Sequence, residues 1–578
     1  MSEEALQGGS GQAGTGSGHG VRAVDEIADR YVAECVNRYP ELATQLGVAG
    51  QDDRWSDYSV DGHADRMEHV QETIDALHQV NPVDGRESLA KDSMLERLGL
   101  EVELHEAHIP TSRVSVVVGH AQELRSTFDL MPTDTDQGWA NIAARLRTVD
   151  QPLRQVQHTL GREAVAGNIS AVRQIQATVD QIRSWTGQIG SDDFFARLVA
   201  ELPASVPDSL RRDVTSAADR GRTAFADFGC WLGDHLAPLA PQLDAVGPER
   251  YALCSRNFLG ATVDLEETYA WGWAELARIQ QEQRELARQL VGSDDIRQAC
   301  AALDADPARR IDGAEQFRVW MQQLADRAVA DLAGTHFDIP EPIRTIECCL
   351  APTHDGLIYY TGPTEDFSRP GRMWWAVPDG IDSFSTWKEV TTVYHEGVPG
   401  HHLQIAQNAH RAELLNRWQR QLCFVSGHGE GWALYAERLM DELGYLDDPG
   451  DKMGMLDAHA FRASRVIVDI GMHLQLRIPA DNAPGFRPGE RWTPAAGLEF
   501  LLANCSSDEP TLRFEINRYL GWPGQAPSYK VGERIWLEAR DEVRERKGAD
   551  FDLRQFHADA LDLGPMGLDP LRRALATI

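Results

Sequence analysis

Apolar residues recur at three- and four-residue intervals through much of the chain, as in "DEIADRYVAECVNRY" and "ARLVAELPASVPDSLRRDV", with proline and glycine at the joints. A helical turn takes about 3.6 residues, so this spacing lays an apolar stripe along one face and predicts a mostly helical region over 24–245. The longest uninterrupted pattern, "DLEETYAWGWAELARIQQEQRELARQLVG" (264–292), is opened by acids and closed by Gly292, as a helix dipole and a left-handed cap require. No fixed-period repeat accompanies it.

Near residue 345 the period shortens. "GLIYYTG" and "GRMWWAVPDG" gather aromatic and branched residues between glycines and prolines and predict two short strands within 356–378. Helical spacing then resumes over 385–410, 429–443, 451–477, 494–503, 509–520 and 529–546, with Gly444 and Gly521 as stops. The expected fold class is mainly α: a large helical body with a small sheet beside the helices of 385–443. The expected division is a disordered tail (1–23), an N-terminal helical region (24–245) and a catalytic helical region (246–578).

Composition narrows the function classes. With 578 residues, 42% of them apolar, the chain can bury a large core. Eighty-nine acids against 56 bases leave a formal charge of −33, and no basic patch offsets it, so neither a nucleic acid nor an anionic membrane is an expected partner. The eight cysteines form no Cys-x-x-Cys pair, which suits reduced thiols. The start, "MSEEALQGGSGQAGTGSGHG", is acidic and Gly/Ser-rich where a secretory signal is basic and apolar, and no run reaches the roughly 18–20 apolar residues of a membrane span. The expected location is the cytoplasm. Oligomeric state has no signature here.

The chemistry concentrates in "TTVYHEGVPGHHLQIA" (391–406). Zinc peptidases place two histidines four apart on one helix with a glutamate beside the first, because one turn brings both imidazoles to one ion and aims the carboxylate at its water. Here position i+4 from His395 is Pro399. On a regular helix His402 would share the face of His395 but lie roughly 10.5 Å along the axis, and His401 would be rotated about 120° away. Neither can share an ion with His395, because each nitrogen must lie about 2.1 Å from it. Pro399 removes an amide donor and Gly400 tolerates unusual dihedrals, so a two-residue bulge there would restore the one-turn relation of His395 to His401. A helix end with incidental histidines is the competing reading.

The neighbourhood favours the bulge. "SGHGEGWALYAERLMDELG" places Glu430 and Glu437 on one helix face two turns apart, one as a third ligand and the other at most in support, with Gly427 and Gly429 allowing close approach to the first helix. On "FRASRVIVDIGMHLQLR" the residues Arg462, Arg465, Asp469 and His473 form one polar stripe on an otherwise apolar helix, which is either a solvated face or the lining of a cleft. Tyr529 follows a Pro/Gly loop in "GWPGQAPSYKVGERIW".

Taken together, "HEGVPGHHLQ", "GEGWALYAERL", "RASRVIVDIGMH" and "PGQAPSYKVGE" resemble the successive signatures of the bacterial domain of unknown function 885 family, itself similar to the zinc metallopeptidases called gluzincins. The resemblance extends upstream through "YALCSRNFLGATVDLEETYAWGWAELARIQQE" and "YPELATQLGVAGQDDRWSDYS". In the thimet-oligopeptidase and Taq-carboxypeptidase groups a "GHAL"-like run carries the second histidine, and "GHHL" sets His401 in that place. The resemblance implies a gluzincin-like architecture, zinc as cofactor, His395, His401 and Glu430 as ligands, and Glu396 as general base. Two extra residues before His401 depart from those peptidases and leave His402 as the alternative ligand.

The expected function is zinc-dependent hydrolysis of a peptide or related amide, by an oligopeptidase, dipeptidase or carboxypeptidase. Tyr529 and His473 are candidate donors to the oxyanion, and Arg462 or Arg465, with His402, candidate substrate contacts; an arginine could take a terminal carboxylate. The strand around "GRMWWAV" could pair with an extended substrate. The rivals are a metal enzyme acting on a non-peptide small molecule and a metal-free helical binding protein.

Overall fold

A computed structural model describes residues 22–578 apart from 191, 192, 352–357, 379 and 484. The expected tail of 1–23 thus lies almost wholly outside the described residues. What they form is mainly helical, with two small sheets.

The N-terminal helices wrap two separate apolar cores. The first unites Val24–Val36, Val70, Leu77, Met94 and Leu98 with Trp418 and Cys423 from much later in the chain. The second, from Val114 to Leu236, is centred on Trp139, Ile142, Phe195 and Phe225. A third and larger core begins at Tyr251 and takes in the C-terminal half.

Eight helices of that half position the chemistry: α1 (Leu265–Val291), α2 (Ala314–Leu332), α3 (Thr386–Glu396), α4 (His401–His410), α5 (Ser426–Glu442), α6 (Pro449–His473), α7 (Glu509–Gly521) and α8 (Ser528–Lys547). Asp264 caps α1 by accepting the backbone N–H groups of Glu266 and Glu267, and Gly292 closes it at φ 73°. α6 is buried nearly all round, packed against α1 on one side and α3 on another. α5 and α8 cross with their backbones nearly touching: a Cβ on Gly431 would come within 2.5 Å of the carbonyl carbon of Gly532. Two glycines facing one another are what permits that approach.

The sheets are small. β1 (Arg310–Asp312) pairs antiparallel with β5 (Ser383–Ser385). β2 (Ile346–Leu350), β3 (Ile358–Thr361) and β4 (Gly371–Trp375) form a second sheet in the order β2-β4-β3, with β4 parallel to β2 and antiparallel to β3. This corrects one expectation. The "GRMWW" strand is central, both its edges are hydrogen-bonded within the protein, and it has no free edge for a substrate strand. Side-chain bonds from Gln322 of α2 to Ile346 and Cys348 also cover β2.

Candidate metal centre

The helix that carries His395 does not continue to His401. α3 ends at Glu396, four residues loop out, and α4 starts at His401. The interruption is thus a break of Gly397–Gly400 rather than a two-residue bulge in one helix. A side chain on Gly400 would collide with the carbonyl of His395, so glycine is the residue that allows this fold-back. The loop is fastened from the following helix, where the indole Nε1–H of Trp432 donates to the Pro399 carbonyl at 2.9 Å. Backbone bonds from Gly400 N–H to Tyr394 O and from His402 N–H to Gly397 O complete it.

The fold-back brings the rings of His395 and His401 to a centroid separation of 4.8 Å, nearly perpendicular. One oxygen of Glu430, on the second turn of α5, faces both: Oε2 lies 3.3 Å from Nε2 of His395 and 3.4 Å from Nε2 of His401. Tetrahedral ligands each 2.0–2.1 Å from an ion stand about 3.3–3.4 Å apart. The two Nε2-to-Oε2 separations therefore match two edges of such a tetrahedron. Glu396 is adjoining, with a donor atom within 4.8 Å of those of both histidines. Glu430 rather than Glu396 is the carboxylate that both Nε2 atoms face within 3.4 Å, and Glu396 lies beside them.

The unmet polar atoms tell the same story. Oε2 of Glu396 and Oε2 of Glu430 are sealed from solvent with no hydrogen bond, a state that costs free energy unless a cation or donor joins them. Burial pushes the Glu396 carboxyl up, against the pull of His401 and His395. Glu430 is also buried, but the two histidines outweigh that and hold it well below the usual carboxylate range.

Glu437, fully buried two turns along α5, fixes the orientation of His395. Its Oε1 accepts from Nδ1 of His395 at 2.8 Å, and its Oε2 accepts from the Thr391 hydroxyl. Burial would lower His395, but Glu430 and Glu437 raise it to about 9; since Glu437 keeps a proton on Nδ1, Nε2 is the nitrogen that would give up its proton to an ion and offer a lone pair. Behind Glu437 stands a buried group that sequence reasoning missed: His459, whose Nε2 lies 3.6 Å from Glu437 Oε2, and Lys530, paired with Glu533 and, at 3.0 Å, with Glu275. His459 sits three residues before Arg462, on the same stripe, and Lys530 follows Tyr529; those were the available signals.

The remaining candidates divide. His402 turns away from the other histidines: Nδ1 contacts the Tyr360 hydroxyl at 2.9 Å and Nε2 the Ile343 carbonyl at 2.7 Å, so both nitrogens are committed and it is no alternative ligand or substrate contact. Burial depresses it to about 4. His473, at the far end of α6 about 16 Å along the axis from Arg462, bonds the Tyr519 carbonyl at 3.0 Å and lies by Tyr251. It belongs to a buried network with Asp469, away from His395. Arg465 bonds the Tyr519 hydroxyl and Glu515, each at 3.0 Å, and stacks on Phe461 and Tyr529. Arg462 comes to 3.8 Å from Glu437. Tyr529, half-buried, lies near enough to Glu430 that, after burial, that charge is the next cause pushing its phenol up.

Two solved structures share this fold. A protein from Colwellia psychrerythraea described as a candidate lipoprotein matches with a TM-score of 0.81 and 21% identity, over 96% of this chain and 98% of its own. A second, from Shewanella oneidensis and described in the same terms as of unknown function, matches at 0.72 and 17% identity, over 95% and 99%. No curated protein matches the chain. Residues 40–575, nearly the whole described structure, match one family throughout, and the chain belongs to it: bacterial protein of unknown function (DUF885).

Proposed function

We propose that this chain is a metal-dependent hydrolase of peptide or related amide bonds, with zinc as its ion and a gluzincin-like arrangement of ligands. The observation that carries the reading is the placement of one Glu430 oxygen 3.3 and 3.4 Å from the Nε2 atoms of His395 and His401. Two imidazoles and a carboxylate are a donor set that suits zinc and leaves a fourth position open. When bound, zinc would supply Lewis acidity, polarising a carbonyl and lowering the pKa of water at the open position from about 15.7 to near 7. Glu396 accepts the water's proton at its unpaired Oε2 and delivers it to the leaving amine. Tyr529 is the donor available to the developing oxyanion, an effect worth about 3 kcal/mol when well placed. Glu437 keeps the His395 proton on Nδ1 throughout.

The test combines elemental analysis with turnover on unmodified di- to decapeptides. One zinc per chain is expected, with His395→Ala losing metal and activity and Glu396→Gln keeping metal but losing activity. Zinc far below one per chain after incubation would point to a binding protein. A zinc-loaded chain that cleaves no peptide would redirect the search to non-peptide substrates, and an active Glu396→Gln variant would remove the general-base role.

A further inference from the structure

Arg462 and Arg465 stand one helical turn apart on α6, and the structure separates them. Arg465 is spent on Glu515 and the Tyr519 hydroxyl. Arg462 makes no hydrogen bond to any described residue. Its Nε is sealed from solvent without a partner, and its nearest anion is Glu437 Oε1 at 3.8 Å, beyond hydrogen-bond reach. Glu437 accepts from His395 and Thr391, and neither of its oxygens hydrogen-bonds Arg462. The side chain is only 17% exposed. A guanidinium Nε–H sealed from water without a partner is costly, and the group gains most from a planar anion that accepts two parallel N–H bonds.

The position of Arg462 limits what that anion is. Arg462 and His395 share Glu437 Oε1 as a neighbour, at 3.8 and 2.8 Å, so an anion on Arg462 rests one carboxylate away from a proposed metal ligand. Its charge also acts on Glu396. The anion and the scissile carbonyl must therefore be close together in one substrate. A peptide's last residue spans about 3.5 Å of chain, which is the span a free C-terminal carboxylate would bridge from its own amide bond.

We infer that Arg462 receives the free α-carboxylate of the C-terminal residue of a peptide, making the chain a carboxypeptidase or dipeptidase. This rests on the hydrolase reading above. Water adds across the last peptide bond: the C–N bond breaks, hydroxyl goes to the carbonyl carbon, and the proton goes through Glu396 to the departing amino nitrogen, which leaves as a free amino acid. No oxidant or second substrate is needed. Glu396 does the chemistry, and Arg462 sets which bond is presented to it.

The experiment pairs binding with turnover. Zinc-loaded protein is titrated calorimetrically with N-acetyl-phenylalanine and with its C-terminal amide, which differ only in the charge at that end. Wild type should bind the acid at least about 10-fold more tightly, the gain typical of a charge-assisted pair. Arg462→Gln should level the two with zinc content unchanged, and Arg462→Lys should keep part of the preference. Equal binding of acid and amide by wild type, or a preference that survives in Arg462→Gln, overturns the assignment. If Arg462→Gln does not fold, an undiminished preference in Arg462→Lys counts against bidentate recognition. Turnover of a tripeptide and its amide separates the two readings. Preference in binding with cleavage of neither keeps Arg462 and removes the hydrolase; cleavage of both at equal kcat/KM does the reverse.

Discussion

The ammonium group of Lys530 donates a hydrogen bond to Nδ1 of His459 at 3.0 Å, and both side chains are buried. Because an ammonium can only donate, His459 Nδ1 must accept, and its proton sits on Nε2, facing Glu437. Glu437 in turn accepts from Nδ1 of His395 and from the Thr391 hydroxyl, with His459 Nε2 3.6 Å from its other side. Burial alone would raise it, yet Arg462, His395 and His459 keep it well below the usual carboxylate range. A polar chain running from α8 through α6 to α5 thus dictates which nitrogen of His395 carries hydrogen.

Glu437→Gln should weaken that control, because an amide can present N–H to His395 and reverse its tautomer. Zinc affinity, measured by competition with a chromophoric chelator, should fall about 10- to 100-fold, while the far-ultraviolet dichroism stays that of a helical protein. An unchanged affinity would mean that Glu437 has no hold on His395.

The α5–α8 crossing predicts a steep cost for one methyl group. Gly431→Ala would press against backbone of Gly532, which cannot rotate aside. Overpacking of this kind costs about 1–3 kcal/mol, and more where helices must separate. Chemical denaturation should show it as a lower midpoint with an unchanged slope; a wild-type midpoint would mean that the helices can slide at no cost.

Arg465 and Arg462 should behave unequally in stability. Arg465→Met removes one of the two arginines on Glu515, whose side chain is 10% exposed, and leaves it Arg518; the lost charge-assisted hydrogen bond should cost about 1.5–3 kcal/mol. Arg462→Met breaks no hydrogen bond but removes one of the charges that keep buried Glu437 ionised, so it should cost less rather than nothing. Equal destabilisation by the two would contradict a hydrogen-bonded structural role for Arg465 alone.

Acid should destabilise the fold through two groups of the same sign. Burial depresses His557 to about 3, against its contact with the His336 backbone, so between about 6.5 and 3 the unfolded chain binds the proton first and stability falls as pH falls. Burial would raise Glu515, but Arg465 and Arg518 outweigh it and hold it at about 2, so its contribution is present above about 4.5 and lost on descent towards 2. From pH 7 to 5 the histidine alone should cost about 2 kcal/mol. His557→Gln should lose that much of the pH dependence in urea titrations; a variant with the wild-type dependence would clear His557.

Much of this was legible in local patterns. The helices over 429–546 begin and end within a few residues of their predicted limits, because caps and glycines such as Gly444 act through adjacent backbone, whereas 385–410 is two helices and Arg417–Gln421 was not foreseen. That His395, His401 and Glu430 come together was legible because Pro399–Gly400 marked where a helix must fail and glycines precede Glu430. What could not be read depends on contacts distant in sequence. The extent of the loop is set by Trp432, thirty-odd positions on, and the silence of His402 by Ile343 and Tyr360. β2 was missed because "IECCL" has neither the aromatic content nor the flanking glycines that revealed β3 and β4. Lys530 and His459 look like packing until α6 and α8 are laid together. The polar stripe of α6 was one line in sequence but serves separate neighbourhoods in space, since 16 Å of helix divides Arg462 from His473.

Helix α5 bears Glu430, the Trp432 tether and Glu437 within eight residues. Withdrawing it would simultaneously remove an anion, release the turn that aims His401 and free the His395 ring to spin. On the proposed metal reading, docking of this one segment would therefore complete the donor set, order its second imidazole and lock its first in a single step.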